Sequence, residues 1–170
     1  MAGYGLPNEQ HLSVVLQNNL SLEGHNIEVI NGSISGSTTA GGLNIAEWTL
    51  SENNIDLMIL CLGANDMLRG INPKETKNNL IEIIKIAKSK NIKVIIAGMI
   101  APTSHGTNYK KSFDKIFKDL SNEYELQLIP FLLEGVAQKP EFNLSDGMHP
   151  NDKGTIIISK TLKEAILKNL

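Results

Sequence analysis

Short apolar runs alternate with amphipathic stretches along the whole chain. Four runs read as strands: Ile27 to Ile30, Leu57 to Leu62, Val94 to Met99 and Leu126 to Ile129. Each is short, dense in Ile, Leu, Met or Val, and bounded by polar or turn-forming residues. Between them the spacing becomes helical. From Pro73 to Lys90, Leu80, Ile83, Ile84 and Ala87 recur at offsets of three and four, with Lys and Glu on the other face. Pro73 suits the first turn of that helix, because its missing N–H would have no intrahelical partner there. Similar patterns predict helices over Glu9 to Leu20, Tyr109 to Glu123 and Asn151 to Leu167.

Strands that are almost wholly apolar, and separated by helices, imply a parallel sheet covered on both faces and joined by right-handed crossovers. The expected fold is therefore a doubly wound α/β domain. At 170 residues the chain has the size of one such domain, with no internal repeat or linker to divide it. Ligands in such sheets bind beyond the carboxyl ends of the strands. The polar and glycine-rich segments Asn31 to Gly42, Gly63 to Asn72 and Ala101 to Asn108 fall there. The opening Met1-Ala2-Gly3-Tyr4-Gly5-Leu6-Pro7 departs from the pattern, since loop-like residues stand where a first strand is expected.

Composition narrows the classes. With 41% hydrophobic and 20% charged residues and a net charge of −2, the chain has no basic excess to favour nucleic acid or an anionic membrane. No apolar stretch approaches the ~18 residues of a membrane span, and no basic-then-apolar leader opens the chain, so as written it would stay in the cytosol. Cys61, the single cysteine, lies in an apolar run and reads as a small buried hydrophobe. His11, His25 and His105 have no metal-ligand spacing, and neither a metal nor a cofactor is expected.

Three segments could carry chemistry. In Asp146-Gly147-Met148-His149-Pro150 the carboxylate and imidazole are three positions apart, so Asp146 can orient His149 as a general base. A surface turn with an idle histidine fits the same residues. In Gly63-Ala64-Asn65-Asp66 the Asn65 amide can point into the crevice as an oxyanion donor, with Asp66 bracing the loop. Plain turn chemistry fits there too. In Asn31 to Thr39, Gly36 permits close approach of backbone N–H groups to an anion, although ordinary loop composition accounts for the segment equally well.

Together and in this order, the three segments resemble the second, third and fifth sequence blocks of SGNH hydrolases, the GDSL esterases and lipases. The arylesterase, thioesterase and lysophospholipase branch is the most similar, through Ala2 to Pro7, Thr39-Ala40-Gly41-Gly42-Leu43, Leu68-Arg69-Gly70 and Ile129-Pro130-Phe131. The resemblance implies a three-layer, flavodoxin-like SGNH hydrolase fold with strand order 2-1-3-4-5. It also implies a serine esterase acting on small acyl esters or thioesters through an acyl-enzyme. His149 would be the base, Asp146 its orienting carboxylate, and the Gly36 N–H and Asn65 amide two oxyanion donors. Pro102, Gly106 and Tyr109 would line the acyl groove.

The family's nucleophile is the serine of Gly-Asp-Ser-Leu, a block that these 170 residues do not contain. By the resemblance that serine would lie two residues before Met1, at the end of the first, central strand. The expectation is a truncated enzyme, inactive as written, whose start fell on an internal methionine. A signal peptide lost with that strand would make the parent periplasmic or secreted. Two alternatives remain: a non-catalytic relative binding acyl or glycan ligands, and an enzyme with Ser33, Ser35 or Ser37 as substitute nucleophile.

Overall fold

The computed structural model of the protein describes residues 2–51 and 55–169. They group into two compact units, residues 36–131 and residues 1–35 with 132–170.

The middle unit holds the sheet. Strands β1 (Leu57–Leu60), β2 (Lys93–Ala97) and β3 (Gln127–Ile129) are parallel in the order β1-β2-β3. Leu57 pairs with Lys93, and Ile95 with Gln127. Helices α2 (Thr39–Thr49), α3 (Ala64–Leu68), α4 (Pro73–Ser89) and α5 (Thr107–Tyr124) flank it. The predicted period is obeyed: α4 buries Thr76, Leu80, Ile83, Ile84 and Ala87, while α5 buries Phe113, Ile116, Phe117 and Leu120. The Asn72 side chain caps α4 by accepting from the Lys74 N–H at 3.0 Å, and Pro73 takes the first helical position.

The three strands stand in the relation of the last three in the order 2-1-3-4-5. In that order the first strand pairs along the free edge of β1, and among the described residues no strand pairs there. Burial follows this asymmetry. Val94 to Ala97 of β2 are buried, whereas Leu57, Met58 and Ile59 of β1, no less apolar, are only half-buried. Cys61, expected to be buried, is half-buried just beyond β1, and desolvation there pushes its thiol above its ordinary range.

In the other unit α1 (Leu12–Leu22) packs on α6 (Asp152–Leu167). Leu12, Leu16 and Leu20 form one buried stripe, and Ile158, Leu162, Ala165 and Ile166 the other. Asn19 donates to the Ser159 hydroxyl at 2.9 Å, and Lys163 pairs with Glu23. Gly154 in the first turn of α6 allows a close approach: a Cβ there would stand 2.2 Å from the Phe142 carbonyl oxygen.

The expected strand at Ile27 to Ile30 does not form. Among the described residues no neighbouring strand supplies its backbone partners. The Gln17 side chain does so instead, donating to the Ile27 carbonyl at 2.8 Å and accepting from the Val29 N–H at 2.7 Å. Two expected loops are also shorter than predicted, because α2 and α3 occupy Thr39–Thr49 and Ala64–Leu68.

Candidate active site

Asp146 and His149 lie in a turn whose stem is an antiparallel bridge between Asn143 and Pro150. The Leu144 N–H donates to the His149 carbonyl at 2.7 Å, and the Asn151 N–H to that of Phe142 at 3.0 Å. Gly147 takes φ +68°, a conformation glycine adopts without strain, so the chain reverses there. Pro150 sits in the bridge, and the Asn151 side chain caps α6 by accepting from the Gly154 N–H. Buried Asn143 secures the stem, its amide donating to the carbonyls of Val136 at 2.7 Å and Lys139 at 2.8 Å.

Within the turn, Asp146 Oδ1 accepts from the Met148 and His149 backbone N–H groups at 2.8 and 2.9 Å. Its Oδ2 stands 2.7 Å from His149 Nδ1. The His149 N–H, then the His149 ring, then the Met148 N–H hold the Asp146 carboxyl down to about 2. An ionised carboxylate can only accept, so Nδ1 carries the proton and Nε2 presents its lone pair when the ring is neutral. Both side chains remain partly exposed, at 42% for His149 and 38% for Asp146. Tyr4 stacks on the imidazole, with ring centroids 4.4 Å apart.

The predicted oxyanion donors come together in the other unit. Asn65, in α3, donates through Nδ2 to the Ser37 carbonyl at 2.9 Å. One turn later Arg69 donates through Nη2 to the Gly36 carbonyl at 2.9 Å. One face of α3 thus holds two successive peptides of the 36–37 loop, and the second Asn65 amide hydrogen stays available to a ligand. Gly36 itself takes φ +74°.

Fully buried Asp66 fastens this arrangement. It accepts from the Thr39 N–H at 2.8 Å, the Thr39 hydroxyl at 2.5 Å and the Thr76 hydroxyl at 3.2 Å. Asn79 donates to the Thr39 hydroxyl at 3.1 Å. The carboxyl group also sits at the N-terminus of α2, where an acidic group is favoured by the helix's free N–H groups. Asp66 was legible as a brace, but its partners Thr39, Thr76 and Asn79 carry no sequence signal that joins them to it. Arg69 was legible only through the family resemblance.

The groove candidates lie in that same unit. Pro102 precedes a single 3-10 turn at Thr103–His105, and Gly106, at φ +87°, leads into α5. The Tyr109 hydroxyl donates to the Ile71 carbonyl at 2.9 Å, and burial, with the Asp66 charge adding, pushes that hydroxyl up. Its ring lies between those of His105 and Phe113, at 5.2 and 6.0 Å. Lys110 and Asp114 bind both backbone groups of Ala101, which closes the base of the segment. Among the described residues, no three His, Cys, Asp or Glu side chains are grouped to hold a metal ion, and no helix is long and apolar enough to cross a membrane.

Residues 1–155 match the GDSL-like Lipase/Acylhydrolase family. An arylesterase of Vibrio mimicus is 36% identical over 169 residues, covering 99% of this chain and 84% of that protein. A thioesterase/protease/lysophospholipase of Escherichia coli is 34% identical over 123 residues, 72% of this chain and 59% of its own length. Among solved structures, the psychrotrophic esterase EstA from Pseudoalteromonas, inhibited by monoethylphosphonate, superposes with a TM-score of 0.93 at 30% identity, covering 98% of this chain and 91% of that one.

Proposed function

Because this chain belongs to the GDSL-like lipase/acylhydrolase family and is by that membership an ester hydrolase, we propose that it serves acyl transfer to water through an acyl-enzyme, in one hydrolase domain spanning residues 1–170. The substrates are small carboxylic esters or thioesters. The observation that carries this reading is the Asp146–His149 pair, with Nδ1 bonded to an ionised carboxylate and the Nε2 edge left for a proton in transit.

In the proposed reaction a serine hydroxyl attacks the acyl carbonyl as His149 Nε2 takes its proton. The Gly36 N–H and the Asn65 amide stabilise the resulting oxyanion. Collapse expels the alcohol or thiol, which receives the proton from His149. Water then repeats the sequence on the acyl-serine and frees the acid. Pro102, Gly106 and Tyr109 border the acyl group. Inhibition of the Pseudoalteromonas esterase by a phosphonate supports this chemistry, because a tetrahedral phosphonate resembles the intermediate of ester hydrolysis.

By the sequence resemblance the serine would stand two residues ahead of Met1, and residues 1–170 contain no Gly-Asp-Ser-Leu. The half-buried face of β1 favours a strand alongside it that ends in this serine. The test compares the 170-residue chain with a version carrying an apolar strand and Gly-Asp-Ser-Leu ahead of Met1, on short acyl nitrophenyl esters. Turnover is expected only from the extended protein. Robust turnover by the shorter chain that vanishes in Ser35→Ala would identify a substitute nucleophile. Tight acyl or glycan binding without turnover in both would identify a non-catalytic relative.

A further inference from the structure

The geometry of the opening segment Ala2-Gly3-Tyr4-Gly5-Leu6-Pro7 is directed at one side chain. Tyr4 is 59% exposed, and its ring nevertheless lies on the imidazole of His149, with centroids 4.4 Å apart and planes 34° from parallel. An exposed tyrosine loses rotational freedom in such a contact, so something must hold it there.

Three features do. The Leu6 N–H donates to the Gly3 carbonyl at 3.1 Å, closing a turn with Tyr4 and Gly5 at its centre. Gly5, at φ +71°, takes the left-handed conformation a turn of this kind needs at its third position. A Cβ on Gly5 would stand 2.8 Å from Leu144 Cδ1, and one on Gly3 would stand 2.1 Å from His11 Cδ2. His11 Nε2–H donates to the Leu6 carbonyl at 3.1 Å. The turn therefore sits between His11, at the start of α1, and Leu144, whose own N–H holds the His149 carbonyl.

From this we infer that Tyr4 is a positioning residue for His149, an inference that rests on the proposed role of His149 as base. Asp146 fixes the imidazole by its Nδ1 edge, a single hydrogen bond about which the ring can still tilt. The Tyr4 ring blocks one face and removes that tilt, so Nε2 keeps a constant direction. The contact is ring on ring, and the Tyr4 hydroxyl takes no part in it. His11 acts one step further back, as the anchor of the turn that carries Tyr4.

The experiment follows the imidazole itself, by nitrogen NMR of the 15N-histidine-labelled 170-residue chain, with no turnover required. In the parent and in Tyr4→Phe, His149 should give sharp signals of a single tautomer protonated at Nδ1. In Tyr4→Leu those signals should broaden and move towards the average of the two tautomers, while thermal melting stays unchanged because Tyr4 is exposed. Gly5→Ala, which touches Leu144 and not His149, should have the same effect by displacing the turn. In the strand-extended protein Tyr4→Leu should lower kcat on the order of tenfold at unchanged KM, a fraction of the 10²- to 10⁴-fold that a general base contributes, and Tyr4→Phe should restore it. Signals in Tyr4→Leu as sharp and as unmixed as the parent's would overturn the inference. So would mobility in Tyr4→Phe equal to that in Tyr4→Leu. Absence of esterase activity in every version would count against the proposed function, while the NMR signals of His149 would still decide whether Tyr4 positions the ring.

Discussion

The Asp146–His149 turn and the Asn65–Gly36 loops carry the two sets of candidate groups, and they are held by opposite means. Every polar contact that orients the Asp146 carboxylate comes from residues two or three positions along the chain. The bonds from Asn65 to Ser37 and from Asp66 to Thr39 span 28 and 27 positions. A local device keeps its geometry as long as its own turn survives. A long-range one depends on the cooperative packing of α2, α3 and α4 around a buried carboxyl group. Substitutions in the first should therefore change chemistry and leave stability alone, and substitutions beneath the second should change stability.

The sharpest break is expected from His149→Ala in the strand-extended protein. It removes the proposed base and should lower kcat by on the order of a millionfold, as for other triad members. Asp146→Asn should cost about 10⁴-fold, because the ring loses the acceptor that fixes its tautomer. Both variants should melt with the parent in calorimetry. If either unfolds the protein, the turn is not a self-contained device.

On the other side of the comparison, Asp66→Ala leaves two threonine hydroxyls and the Thr39 N–H short of a buried acceptor. A loss of about 2–4 kcal/mol is expected, read as a fall in Tm of about 10 °C for a chain of this size. An unchanged Tm would show that Asp66 does not fasten the loops. Its neighbour sharpens the contrast: Asn65→Ala should cost about 10²- to 10³-fold in kcat, with a smaller fall in Tm than Asp66→Ala because it loses the single bond to Ser37. Parent-like rates from a normally folded Asn65→Ala protein would remove Asn65 from the oxyanion site.

The smallest effect concerns acid. The Asp146 carboxyl is held down at about 2 from an ordinary value of 3.8. Its contribution to the turn is fully present above that ordinary value and fades as pH falls from about 4 towards 2. Because the side chain is exposed, the signature should be local: the His149 and Met148 amide protons lose protection from exchange in that window before global unfolding. Loss of protection already near pH 5 would contradict the hydrogen-bond pattern.

Local chemistry is legible in the order of the residues alone. The spacing of Leu80, Ile83, Ile84 and Ala87, with Pro73 ahead of them, specifies α4 to within a residue of the observed helix. The three-residue spacing of Asp146 and His149 is enough to bring them together. Elements whose outcome depends on distant partners are not specified in this way. Gly41 and Gly42 argue against a helix, since glycine is a poor helix former. Yet α2 forms across them, because the Thr38 side chain accepts from the Gly41 N–H and Asp66 holds Thr39 at the helix's start. Ile27 to Ile30 has the composition of a strand, but pairing needs a neighbour, and Gln17 takes the backbone groups a neighbour would have used. Pairing, capping by remote side chains and the seating of Tyr4 on His149 are decided by which segments meet. Their interactions are short-ranged in space and long-ranged in sequence, so only the tertiary structure settles them.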